Sequence, residues 1–414
     1  MKVAVIGSGI SGLVAADRLQ HLADQVVIFE ADGRLGGHTD THAIMAGGRT
    51  QAVDSGFIVF NRENYPGFSG WLDKLDVPSQ PTDMSFGVSN LETGLEYGTR
   101  NLNALLCQRR NALSPRFINM LKDLRRFYRE AGEFAGDDDL TLGDLIARQG
   151  YGEGFVSDHL LPMCGALWSL SEADVPQISA AHVIAFMAQH RMLQVQGRPQ
   201  WRVVAGGSAR YIRAFCTQFS GEIRTADPVQ QVRRMERSVQ IRSAAGEHAF
   251  DAVVFACHSD QALGLLVDPS PAEQEILGAI PYQANRVVIH SDERVMPRAR
   301  SAWSSWNGVV AADRRASCQV TYWMNLLQGL SGPQQFFVTL NPRDTLKRVW
   351  SEREYSHPVF TKAARAAQRR HHEINGLRNT FFCGAYWGWG FHEDGFASAE
   401  VVANAMQQGL ANAA

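Results

Sequence analysis

The residues best placed to do chemistry are Gly7, Gly9 and Gly12, in the run Gly7-Ser8-Gly9-Ile10-Ser11-Gly12, together with Glu30, 18 residues beyond Gly12. The chemistry they fit is the grip on a dinucleotide. Gly7 permits a tight turn, Gly9 lets the backbone approach a pyrophosphate, and Gly12 allows a helix to pack closely on a strand. Ile10 and Ser11 lie where the helix N-terminus offers free N–H groups and partial positive charge to phosphates. Glu30 can accept hydrogen bonds from ribose hydroxyls, and its charge repels a 2′-phosphate. These roles require a strand, a helix and a second strand in register. Lys2–Ile6 is a short apolar run suited to a buried parallel strand, Leu13–Leu22 has helical apolar spacing, and Val26–Phe29 reads as the second strand. A glycine-rich turn with no ligand explains the glycines alone but not the strands and the acid that fall in step with them.

A second chemical stretch lies near the C-terminus. Phe381-Phe382-Cys383-Gly384 is an apolar strand running into a glycine-rich aromatic loop that carries Tyr386, Trp387 and Trp389. A helix is expected to start near Gly395 and continue past Val402. Its N-terminal dipole would face a ligand that carries negative charge. The competing reading is a glycine-rich turn before a surface helix. No second GxGxxG occurs, so a separate nicotinamide site is not expected.

The bulk properties set the frame. A chain of 414 residues can hold two domains with substantial cores, and a formal charge of -2 with 45% hydrophobic residues describes a soluble globular protein. No basic excess points to nucleic acid. Six dispersed cysteines without a CxxC pair suggest reduced thiols and a cytoplasmic setting. No run of 18 apolar residues is present to span a bilayer. Ser114-Pro115 should open a helix with Phe117, Met120, Leu121, Leu124, Phe127 and Tyr128 on one face. The arginines around it would suit peripheral contact with anionic lipid at the inner face of a membrane, or simply a solvated surface. Leu160–Leu170 could line a cavity or fill a core. Val53–Asn61 reads as a strand whose Gly56 marks the close approach of another backbone or a ligand. Asn285–His290, Gln319–Asn325 and Phe336–Leu340 read as further strands, with Trp303 and Trp306-Asn307 between them. His182, His190 and His371-His372 have no metal-ligand context, and no metal is expected.

The segment Glu30-Ala31-Asp-Gly-Arg34-Leu-Gly36-Gly37-His38-Thr39 resembles the ExxxRxGG(R/H)T signature of the FAD-dependent amine oxidase and phytoene desaturase superfamily. The resemblance implies an α/β fold, a Rossmann-like FAD-binding domain interleaved with an α+β substrate domain. Residues 1–75, 200–260 and 370–414 would form the first, and 76–199 and 261–369 the second. It implies FAD as cofactor, with Ala31, Arg34, Gly36, Gly37 and His38 at its ribose and pyrophosphate, and Gly56 and Phe57 beside the flavin. Val229 would read the adenine edge, Gly384 would approach the pyrophosphate, and Asp394, Gly395 and Phe396 would complete the site. His38 stands where amine oxidases usually carry arginine, and a neutral imidazole supplies no fixed charge.

Two departures bear on the substrate. His392 falls where amine oxidases keep an aromatic wall, and Asn285-Arg286 replaces their flavin-side lysine segment. The segments RPQWRVVAGGS, FACHSDQAL, NRVVIHSDERVMP, VTYWMN and CGAYWGWGFHEDG resemble the bacterial FAD/NAD-binding oxidoreductases encoded beside cyclopropane-fatty-acyl-phospholipid synthases. That likeness implies dehydrogenation (desaturation) of a lipid or fatty-acyl substrate by hydride transfer to flavin N5. Tyr386, Trp387 and Trp389 would then wall the substrate cavity. His392 would face the reacting carbon as proton acceptor or positioning donor, or merely fill space. The alternatives are a flavin amine or amino-acid oxidase, and a flavin-bearing partner of a lipid methyltransferase.

Overall fold

The computed structural model describes residues 1–413 except 138, 314, 316 and 317. Five parallel strands form the sheet that positions the N-terminal motif, in the order Glu222–Arg224, Gln25–Phe29, Lys2–Ile6, Ala252–Phe255 and Thr380–Phe382. Strand alternation buries both faces. Val3, Val5 and Ile28 pack on one side with Leu13 and Val14 of the first helix and Ala399 and Val402 of the last. Ala4, Ile6, Val27 and Phe29 pack on the other, under the antiparallel strands Val229–Arg234, Val239–Ser243 and Gly246–Phe250. A sheet buried on both faces is what continuous apolar runs such as Val-Ala-Val-Ile require.

The second large sheet has seven strands, in the order Val349–Pro358, Tyr282–His290, Phe337–Leu340, Gln319–Trp323, Trp306–Val310, Phe86–Asn90 and Glu96–Gly98. All its pairings are antiparallel except that of Trp306–Val310 with Phe86–Asn90. Helices Pro115–Glu130, Leu161–Trp168 and Ala180–Gln189 share a core with it through Phe117, Phe127, Cys164 and Phe186. Ser114 accepts from the Phe117 N–H and Pro115 sits in the first turn, which starts the first of these helices where the sequence places it. No helix among the described residues is long and apolar enough to cross a membrane.

Several expectations need correction. The run from Val53 to Asn61 is not one strand: Arg49–Asp54 ends, the chain bends, and Val59–Asn61 begins a new pairing. At the bend the Ser55 and Phe57 amides donate to the Asp40 and His38 carbonyls at 3.0 and 2.8 Å, so this backbone binds the signature loop instead of continuing a ladder. Trp306 and Asn307 open a strand of their own, and after Trp323 the chain turns into the short helix Met324–Leu327. The first helix runs over Ile10–Leu19, and the last starts at His392, ahead of Gly395. The Asp394 carboxylate reaches back to the Phe391 N–H at 2.8 Å and so caps that earlier start.

Backbones approach closely at Gly12, where a Cβ would lie 1.9 Å from the Gly7 carbonyl oxygen. Gly12→Ala should therefore lower unfolding free energy by about 1–3 kcal/mol through overpacking. Urea denaturation checks this, and a midpoint equal to that of the parent would contradict the packing described.

Candidate active site

The carboxyl ends of the parallel strands open onto one cavity of about 1590 Å³, larger than the ~300–1,000 Å³ usual for a single small ligand. Such edges are where open α/β sheets bind ligands. Gly7, Ser8, Gly9, Ile10 and Ser11 line it directly. The first helix has no side-chain cap at Gly9, so its first-turn N–H groups have no partner within the helix and face this space. A Cβ on Gly9 would meet nothing within 4 Å, whereas one on Gly37 would lie 3.3 Å from the Gly9 Cα. The two glycine loops thus abut and leave an open floor for a diphosphate. Glu30 is held at the rim by the Ser8 and Asp32 amides, at 3.0 and 2.9 Å, and by the Ser8 hydroxyl. Ala31, Arg34, Gly36 and Val229 also line the cavity.

Arg34 spends its guanidinium on the loop. It donates to the Gly37 and Thr39 carbonyls at 2.8 and 3.3 Å and lies 3.6 Å from Asp40. Gly36 has φ +113°, and a Cβ there would meet Ile212 at 2.3 Å. At Gly56 a Cβ would fall 1.9 Å from the His38 carbonyl oxygen, so the approaching backbone is that of the signature loop itself.

The second helix N-terminus arrives beside the first. A Cβ on Gly395 would meet Ile10 at 2.7 Å and the Ser11 hydroxyl at 2.8 Å. Arg18 of the first helix donates to Glu400 of the last at 2.8 Å, and the Ser398 hydroxyl accepts from the Gly384 N–H at 2.9 Å. Two helix dipoles are therefore directed at neighbouring parts of one cavity, where their positive ends favour anionic groups.

Not every expected residue reaches the cavity. Gly384, Tyr386, Trp389 and His392 line it, but Gly12, Trp387, Asp394, Gly395 and Phe396 do not. Trp387 stacks on His371 at 4.0 Å, behind the wall it was expected to form. Phe396 packs in the core near Trp71 and Arg18. Burial pushes the Asp394 carboxyl up to about 6, against the pull of the Phe391 and Trp389 amides, and its work is the helix start.

His392 lies flat on Phe57, with ring centroids 3.6 Å apart, and edge-on to Phe68. Its Nε2 pairs with the Tyr211 hydroxyl at 3.0 Å, which in turn pairs with Thr39. Burial pushes its pKa down to about 3, so it is neutral and uncharged at physiological pH. A stacked, hydrogen-bonded, neutral ring forms a wall of the cavity and can position a neighbouring group.

Sequence reasoning missed the polar end of the cavity. His38, His258 and His357 converge there with Tyr355, the His38 ring lying 5.0 Å from Tyr355, 5.5 Å from His357 and 6.0 Å from His258. Tyr355 and His357 belong to the strand Val349–Pro358, whose inward face (Ser351, Arg353, Tyr355, His357) is polar and so gives no apolar alternation to detect. Burial holds all three imidazoles below their usual pKa. The buried Nε2 of His38 and hydroxyl of Tyr386 have no protein partner, as expected of groups lining a site for a polar ligand.

The fold and this cradle define a dinucleotide-binding α/β protein of the FAD-dependent amine oxidase type. The chain belongs to the flavin containing amine oxidoreductase family, whose model matches residues 10–319. Its cofactor is FAD, and the open glycine floor, the paired helix ends and the unpartnered polar groups fit it. Among relatives, an L-amino acid dehydrogenase of Synechocystis sp. is 22% identical over 297 residues, covering 67% of this chain and 60% of that protein. A flavin-dependent L-tryptophan oxidase of Lentzea aerocolonigenes is 42% identical over 55 residues, covering 13% and 12%. The chain spans 60% or less of the length of these curated relatives. The same fold occurs in cyclohexylamine oxidase from Brevibacterium oxydans IH-35A, with a TM-score of 0.72, 14% identity and 99% of both chains covered. It also occurs in the CLA-producing fatty acid isomerase from P. acnes, with a TM-score of 0.68, 15% identity and 97% and 98% covered.

The neutral state of His392 has a pH signature. Its folded pKa lies below the unfolded value of 6.5, so its contribution to stability is present above pH 6.5 and is lost as pH falls toward 3. The difference in unfolding free energy between the parent and His392→Phe should shrink by about 1.4 kcal/mol per pH unit between these limits. Parallel pH profiles from urea denaturation would show that His392 is protonated in the folded protein.

Proposed function

We propose that the protein is an FAD-dependent oxidoreductase that dehydrogenates a lipid or fatty-acyl substrate. The observation that carries this reading is the apolar lining of the cavity beyond the cofactor cradle. Met163, Leu167, Trp168, Phe186, Phe360 and Phe391 line an apolar lobe continuous with the region around His392. Bound FAD supplies a two-electron acceptor at flavin N5. The chain's part is to hold, orient and dry the site. The stacked pair Phe57 and His392 fixes one wall, and Trp389 continues it toward the helix Ala180–Gln189 through Phe186. The two helix N-termini favour the negative charge that accumulates on reduction. A solved structure with this fold is a CLA-producing fatty acid isomerase, and that likeness supports the acyl reading. The sequence likeness to proteins encoded beside cyclopropane-fatty-acyl-phospholipid synthases supports a phospholipid acyl chain as substrate.

Oxidation of an amine or amino acid is the second reading. It is favoured by the L-amino acid dehydrogenase relative and by Arg100 and Arg198 on the cavity lining. Against it, Arg34 and Arg353 both face Asp40, Arg100 lies 3.7 Å from Asp83, and Arg198 is tied to the Gln194 carbonyl at 2.7 Å. A carboxylate clamp would need one of these guanidinium groups released. Contact with a bilayer would bring an acyl substrate to the cavity. On the helix Pro115–Glu130, however, Arg116, Arg126 and Arg129 are committed to Asp158, Asp123 and Glu130, which leaves Lys122 and Arg125 to meet lipid.

Anaerobic mixing of the holoprotein with phospholipid, fatty-acid and amine panels separates these readings. Bleaching of the flavin band by an acyl lipid is expected. Bleaching by an amine or amino acid alone would favour the second reading. Bleaching by nothing in the panels would favour a flavin-bearing partner of a lipid methyltransferase.

A further inference from the structure

The polar end of the cavity contains a directional hydrogen-bond relay. Its direction is set at one end by a backbone amide, which can only donate. The Arg286 N–H donates to Asn341 Oδ1 at 3.1 Å, so the other side of that amide, Nδ2, donates to Asn285 Oδ1 at 2.9 Å. Asn285 must then present its own Nδ2, which donates to the Gln283 carbonyl at 2.9 Å and faces His357 Nδ1 at 3.3 Å. An Nδ2 has no lone pair to offer, so His357 Nδ1 is the acceptor. The Ser169 hydroxyl lies 3.1 Å from the same nitrogen and can donate to it as well. Both side chains are locked in place. Asn285 is fully buried, and Ser169 ends the helix Leu161–Trp168 at φ 57° with its carbonyl accepting from Gln283 Nε2 at 3.1 Å.

A neutral imidazole has one N–H, and a ring whose Nδ1 accepts must carry that proton on Nε2. Among the described residues Nε2 of His357 makes no hydrogen bond, and it is not among the sealed, unpartnered atoms. His357 itself lines the cavity. We propose that His357 is a fixed neutral donor whose Nε2–H binds a carbonyl oxygen of the molecule in the cavity, so that the site selects a substrate with a carbonyl at its polar end. The groups around it agree with neutrality. Burial pushes His357 down to about 4, the neighbouring His258 adds to the cost of a charge there, and burial keeps Tyr355 and Tyr282 protonated. Asn285 also gains a purpose. Its amide orients a neutral donor that lines the cavity.

The acceptor carbonyl could belong to an acyl ester or to the flavin ring, and only this assignment rests on the proposed oxidoreductase reading. The first test needs no substrate. In protein labelled with 15N-histidine, with His357 assigned by its loss in His357→Gln, the ring should show a protonated Nε2 and a bare Nδ1 at neutral pH. A protonated Nδ1 or an imidazolium would overturn the proposal. Asn285→Asp offers an acceptor instead of a donor, so it should move the proton to Nδ1, and an unchanged tautomer there would contradict the relay. The second test compares methyl oleate with 1-octadecene as ligands of the holoprotein. The ester-to-hydrocarbon affinity ratio should fall about tenfold in His357→Leu and be largely kept in His357→Gln, with the flavin spectrum unchanged. A shifted flavin spectrum with an unchanged ratio would overturn substrate selection by His357 and place its donor at a flavin carbonyl. If neither changes, the proposed role is wrong. If the parent binds neither ligand while the tautomer is as stated, the lipid reading fails and the donor assignment stands.

Discussion

The structure depends on bringing two helix N-termini, more than 370 residues apart in the chain, to the same point. Each end leaves backbone N–H groups without intrahelical partners, and each carries partial positive charge. Placing them side by side is unfavourable unless something anionic lies in front of them. Glycine makes the placement sterically possible, because at Gly395 a Cβ would collide with Ile10 and the Ser11 hydroxyl. The Arg18–Glu400 contact and the Ser398 hydroxyl on the Gly384 amide then fix the pair in register. The five-stranded sheet delivers both helices, since the first follows the central strand and the last follows the edge strand Thr380–Phe382.

Opposite this electropositive floor the cavity is built to stay uncharged. His392 is stacked and neutral, and burial holds His38, His258 and His357 below their usual pKa. The cavity's arginines are turned onto Asp40, Asp83 or backbone carbonyls. The charge pattern suits a cofactor anion on one side, and the proposed occupant of the other is an apolar chain with a polar but uncharged end.

The nucleotide-binding half was legible because its constraints are local. Gly7, Gly9, Gly12 and Glu30 are close in sequence, and each has a steric or hydrogen-bonding reason that spacing alone reveals. The apolar strands beside them announce burial on both faces. The Asp394 cap was less visible, since the same acid three residues into a helix can serve a ligand or its own helix start. Trp387 shows another limit: neighbouring aromatics in a loop point to different sides, and only the stack on His371 decides which. Beyond His38, the polar end of the cavity was not legible. Its strand pairs Arg353, Tyr355 and His357 on one face, so no hydrophobic period marks it. The relay through Asn341 and Asn285 joins side chains 56 and 72 residues apart, with no pattern in the sequence to link them.

The central claim is that both ends of the chain close on one FAD. The most direct measurement is the flavin released by denaturing the isolated protein, repeated after incubation with FAD and removal of the excess. One FAD per chain is the predicted result. No flavin in either sample would contradict the account, because the paired helix ends and the open glycine floor would then face no anion.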